Sequence, residues 1–130
     1  MSGFSSSLSV SSSGLQAQAE RLRHISENIA NADTPGYRRK TVSFQSVAAQ
    51  GDEHGTVQAG PVRLDSSDLP VIHDPSHPLA DAKGNYQGSN VSLVVEIADA
   101  REAQRSYEAN LKMFDQTRKM SAGLMELLKR

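Results

Sequence analysis

Apolar residues recur at every seventh position along the first thirty residues. Leu8, Leu15, Leu22 and Ile29 form one row, and Phe4, Ile25 and Ala32 an offset row in which Ser11 and Gln18 are the gaps. This heptad-like spacing predicts an amphipathic helix over about residues 3–31. Serine runs at 5–7 and 11–13 oppose it, because serine competes for backbone hydrogen bonds. Such a helix is marginal alone and is expected to form when its stripe meets another helix.

A second helical pattern fills residues 91–130, with no proline and glycine only at Gly123. Leu93, Ile97, Ala100, Tyr107, Leu111 and Phe114 make its stripe, and Met113, Met120, Leu124 and Leu127 continue it with a slow drift. Ser89-Asn90 offers an N-cap. Glu108/Lys112, Asp115/Lys119 and Glu126/Arg130 are acid-before-base pairs four apart. The broad Met and Leu surface at the end exceeds what one partner helix covers, which points to several neighbours.

Between the helices the pattern breaks. All five prolines and six of the nine glycines lie in residues 34–89. Residues 56–59 with 62–64, and 69–72, have strand character, and the turn-like Asp65–Asp68 between them suggests a hairpin. The expected fold is therefore mainly α: long terminal amphipathic helices, 1–33 and 90–130, packing as a coiled coil, with a small β-hairpin and loop-rich insert at 34–89.

Composition narrows the function. The chain has 130 residues, 37% hydrophobic and 5% aromatic, with no tryptophan. So thin a core argues against an enzyme with a deep pocket and for a shape completed by partners. A net charge of −1 gives no electrostatic case for nucleic acid or an anionic membrane. The absence of cysteine removes disulfides, thiol catalysis and Cys-ligated metals. No run approaches the roughly 18–20 apolar residues of a membrane span. No Lys or Arg precedes Arg21 and no apolar leader is present, so any export is expected to proceed without a cleaved signal peptide.

Candidate chemistry is sparse. His73 and His77 are four apart, but Pro75 and Pro78 forbid a helix there, and turn contacts are the better reading. His24 reads as an interface or surface residue and His54 as exposed loop. No nucleophile elbow, P-loop or dinucleotide motif occurs, so no catalytic residue, cofactor or metal is expected. Arg38-Arg39-Lys40 is the one compact basic cluster; an inter-subunit contact with the acidic middle region is favoured for it over nucleic acid.

The junction after the first helix is more informative. Asn31 suits a helix C-terminus because asparagine tolerates left-handed geometry. Pro35 pushes Thr34 out of helical conformation. Pro35-Gly36 is the type II turn pair, and Tyr37 follows as a large anchor. The segment predicts a rigid corner.

Ala30, Asn31, Thr34, Pro35, Gly36, Tyr37 and Arg39 resemble the A-N-x-x-T-P-G-Y-x-R signature of the flagellar rod, hook and hook-associated axial protein family. Residues 77–84, Ser89-Asn90-Val91, Glu102–Asn110 and Met113-Phe114 are similar to the proximal rod members of that family, and the short insert agrees with them. The resemblance implies a structural subunit that assembles helically into the proximal rod and carries motor torque across the periplasm. Its terminal helices would pack as an inner layer around the export channel. Leu8, Leu15, Leu22, Ile29, Leu93, Ile97, Tyr107, Leu111 and Phe114 would supply that packing, and Asn31, Thr34, Pro35, Gly36, Tyr37 and Arg39 would set the corner. Implied partners are copies of the chain, other rod proteins, the rod-to-MS-ring adaptor and the type III export apparatus. A soluble helical adaptor docking on a few partner helices is the alternative.

Overall fold

The computed structural model describes residues 2–47 and 55–129. Two helices dominate: α1 spans Ser2–Ala30 and α2 spans Leu93–Leu128. At 1.5 Å per residue, the 36 residues of α2 extend about 54 Å. The helices run antiparallel. Asn28 meets Glu96 at one end, Gly14 lies against Asn110 in the middle, and Phe4 and Ser7 border Leu124 at the other.

The seam between them is polar and small rather than leucine-rich. Ser11, Ala17, Gln18, Ile25 and Asn28 are buried on α1, and Glu96 and Ala103 on α2. Ser11 and Gln18, the apparent gaps of the pattern, are thus buried. Leu8, Leu15 and Leu22 are only half-buried, and Ile29 is exposed. At Gly14 a Cβ would fall 2.9 Å from Asn110 Nδ2, so the asparagine side chain takes the space that a side chain on α1 would need there. The α2 stripe divides accordingly. Ala100, Tyr107 and Phe114 are half-buried, whereas Leu93, Ile97 and Leu111 are exposed.

Among the described residues, six short strands fill the middle as three two-stranded antiparallel ladders. β1 (Lys40–Thr41) pairs with β4 (Arg63–Leu64), and β2 (Phe44–Ser46) with β3 (Val57–Ala59). β5 (Val71–His73) pairs with β6 (Asn85–Gln87). The hairpin expected between 56–64 and 69–72 is absent. Strands of two or three residues have few ladder bonds of their own, and Asp65–Ser67 is claimed instead by Arg38, whose Nη1 donates to the Asp65 carbonyl at 3.0 Å and the Ser67 carbonyl at 2.9 Å. The cap of α2 also differs: Ser92 is its N-cap and makes no side-chain cap bond, because Ser89 and Asn90 are engaged at the corner.

Candidate functional site

The corner is built from α1's last turn, the turn that follows, and α2's first turn. Asn31 Nδ2 donates back to the Glu27 carbonyl at 2.8 Å, closing the helix with its side chain. Asn31 is not left-handed as expected; every positive φ among the described residues belongs to glycine. Thr34 Oγ1 donates to Asn31 Oδ1, and the Tyr37 N–H reaches the Thr34 carbonyl at 3.2 Å. Gly36 takes φ 74° at the third position of this turn, the type II geometry its sequence foretold. The Gly36 N–H donates to the Gln87 carbonyl, tying the turn to β6.

Beyond the turn the chain enters a buried polar cluster. Tyr37 Oη donates to Asn28 Oδ1 at 2.8 Å, and the Lys40 N–H donates to the same oxygen at 2.9 Å. Asn28 Nδ2 donates to the Lys40 carbonyl at 2.9 Å and to Glu96 Oε2 at 3.2 Å. All the hydrogen-bonding capacity of this fully buried amide is therefore used. Arg39 donates through Nε to Glu96 Oε1, and through Nη2 to Asp99 Oδ2 at 2.7 Å. Its backbone N–H donates to Asn90 Oδ1 at 2.7 Å, and Asn90 Nδ2 donates on to the Asp65 carbonyl at 3.1 Å.

Electrostatics follow from these contacts. Burial disfavours the Arg39 cation, but the hydrogen bond and field of Glu96 override it and raise its pKa above the ordinary value. Burial raises the Tyr37 phenol. Lys40 Nζ lies 2.7 Å from Glu27 Oε2, and that hydrogen bond lowers the Glu27 carboxyl and raises the Lys40 amine. Each cation of the basic triplet finds a nearby acceptor within the chain: Arg38 on carbonyls of Asp65 and Ser67, Arg39 on Glu96 and Asp99, and Lys40 on Glu27.

The other candidate residues sit elsewhere. His24 is buried rather than at the surface, and neither ring nitrogen has a hydrogen-bond partner. Ile25 beside it and Val42 and Phe44 across from it wall a cavity of about 240 Å³. His73 Nδ1 shares a hydrogen bond with Asn85 Oδ1 at 2.8 Å, and His77 stacks on Tyr86 with ring centres 3.9 Å apart. Among the described residues, no three His, Cys, Asp or Glu side chains group to hold a metal ion. His54 lies outside the described residues.

The residues carrying most of the corner's bonds, Asn28, Asn90 and Glu96, were not marked by the sequence pattern. Asn28 interrupts the seam three residues after Ile25. Asn90 read only as part of a helix cap. A polar residue at a seam position, in register with a partner across it, was the available signal.

Residues 8–38 match the family description "Flagella basal body rod protein", and residues 82–127 match "Flagellar basal body rod FlgEFG protein C-terminal". These two blocks contain Asn28, Tyr37, Asn90, Glu96 and Asp99, so the corner is where the matched segments meet. The chain is 43% identical to flagellar basal-body rod protein FlgC of Agrobacterium fabrum, over 99% of this chain and 98% of that one. The chain belongs to the FlgC family of flagellar basal-body rod proteins. FlgC of Escherichia coli O157:H7 is 36% identical over 85% of the chain and 87% of its own length. FlgC of Bacillus subtilis is 34% identical over 93% and 95%. The FlgC family is one of structural proteins, and no described helix here is long and apolar enough to cross a membrane.

Proposed function

We propose that the chain is a structural subunit of the bacterial flagellar rod, built to be completed by neighbours. One observation carries this: the apolar side chains point outward. Among the described residues only Ala17, Ile25 and Ala103 form a fully buried apolar core, while Leu93, Val94, Ile97, Leu111, Met113 and Met120 are exposed on α2. On a 36-residue helix Leu93, Ile97 and Leu111 fall on one flank of the face that α1 covers, Met113 and Met120 on the other, and Val94 on the back. Stability of the whole chain then depends on what packs against them.

In this reading residues 1–33 and 90–130 form one helical domain that packs as a coiled-coil layer with copies of itself and other rod proteins, around the export channel. Residues 34–89 form the outer region. Leu8, Leu15, Leu22 and Ile29 meet neighbours from one helix, and Leu93, Ile97, Tyr107, Leu111 and Phe114 from the other. The corner from Asn31 to Arg39 fixes the angle between the layers under motor torque. The chain crosses to the periplasm through the flagellar export apparatus without a cleaved leader and sits in the proximal rod, next to the adaptor that joins the rod to the MS ring.

The deciding experiment is mass spectrometry of purified basal bodies, with the soluble fraction as control. Several copies per rod-containing particle are expected. Recovery only among soluble proteins from cells with intact rods would overturn the reading in favour of a helical adaptor.

A further inference from the structure

The side of α2 turned away from α1 is neither apolar nor evenly charged. Glu96, Ala103 and Asn110 face α1. Val94, Ala98, Arg101 and Arg105 lie about 140–200° around the helix from Glu96, at 100° per residue. Together with Ile97 they line a shallow trough. Val94 is 79% exposed, and neither arginine has an ion-pair partner among the described residues. Arginines four apart on a helix face are neighbours of like charge, so the pair favours an incoming carboxylate.

The chain itself carries a projection of the opposite character. The loop between β5 and β6 presents Leu79, 64% exposed, flanked by Asp74 and Asp81. This tip is held in shape. Asp81 Oδ1 accepts the N–H groups of Lys83 at 2.9 Å and Asn85 at 3.0 Å. Asp74 Oδ1 accepts the Ser76 hydroxyl at 2.7 Å, and the His77 ring rests on Tyr86. Among the described residues, the second carboxylate oxygen of each aspartate has no hydrogen-bond or ion-pair partner. A preordered loop loses little entropy on docking.

We propose that this loop of one copy docks on the back of α2 of the next copy, Leu79 entering the trough beside Val94 and Ala98 and Asp74 and Asp81 pairing with Arg101 and Arg105. The proposal rests on the assembly reading above. The two surfaces differ, so the contact is head-to-tail and propagates along a helical array instead of closing a dimer. The leucine supplies the buried apolar area, and the charge pairs set orientation and exclude the wrong face.

The chain has no cysteine, so introduced thiols report cleanly. Full-length chains carrying L79C, A98C or both are expressed in cells lacking the native chain, and isolated basal bodies are oxidised. The double variant is expected to give a ladder of linked copies, and each single variant none. R101E with R105E should abolish the ladder, and R101K with R105K, which keeps the charge, should retain it. Incorporation of the double variant without cross-links overturns the docking while leaving the rod assignment intact; absence of the unmodified chain from basal bodies overturns the rod assignment itself. If the double variant is not incorporated, a photo-cross-linking residue at position 79 decides: adducts within residues 94–105 of a second copy support the contact, and adducts elsewhere or on another rod protein refute it.

Discussion

Replacing Glu96 by alanine tests whether the polar corner holds the two helices together. Glu96 is fully buried and accepts from Arg39 Nε and from Asn28 Nδ2. Alanine would leave Arg39 with Asp99 as its remaining acid and would strip Asn28 of its contact with α2. Removing one partner of a buried, hydrogen-bonded ion pair costs about 3–5 kcal/mol, because the other charge stays desolvated. Domains have roughly 5–15 kcal/mol in total. With about 3–5 °C lost per kcal/mol at this size, the melting temperature should fall by roughly 10–20 °C. Glu102 is the control: its side chain is 70% exposed and lies 3.7 Å from Arg21, so E102A should cost under about 1 kcal/mol. Both full-length chains would be melted with circular dichroism at 222 nm. If E96A lies within about 1 kcal/mol of E102A, the corner is not what joins the helices.

Three further outcomes follow from the same geometry. Pro35→Ala with Gly36→Ala should impair rod assembly and motility with expression intact, since alanine at the Gly36 φ of 74° is strained by about 1–2 kcal/mol; normal swimming would refute the role of the corner. Tyr37→Phe removes the bond to Asn28 Oδ1 and should cost about 0.5–1.5 kcal/mol in a denaturant melt, an unchanged midpoint arguing against that bond. Asp65, Asp74 and Asp115 have lowered carboxyl pKa values, through the Ser67 backbone, the Ser76 side chain and Lys119 respectively. The unfolded chain therefore binds protons more readily at these sites. Their contribution is present above the ordinary carboxylate range and lost as pH falls through the lowered values, so melting points should drop as pH falls below about 4, and less so in the triple Asn variant.

The two helices and the turn were legible in the sequence because both rest on short-range rules. Heptad spacing marks a helix whatever it packs against, and Pro35-Gly36 specifies its turn from two residues. The identity of the buried face was not legible. Leucine rows normally locate a seam, yet here Ser11, Gln18 and Asn28 are buried while Leu8, Leu15 and Leu22 are only half-buried. The short ladders were misread for a related reason. β4 pairs with β1 across more than twenty residues of intervening chain, and strands of two residues carry too little pattern to announce a partner. Nor could spacing reveal that Asn28 and Glu96, 68 residues apart, share a hydrogen bond.

These departures have one physical source. A chain that folds alone places leucines inside and polar residues outside; a chain that works only among neighbours can reverse the allocation. Small and polar seam residues contribute little burial, so the α1–α2 contact needs a specific fastening, and the Asn28–Glu96–Arg39 cluster provides it at one end. Such a cluster adds register more than net stability, because desolvating the charges offsets much of their attraction. The leucines and methionines left outside then supply apolar area to contacts between chains, at about 25 cal/mol per Å² buried. Fixed register within one chain and deferred burial between chains together favour rigid assembly over a stable monomer. A rod subunit whose apolar faces are covered only by its neighbours calls for that division.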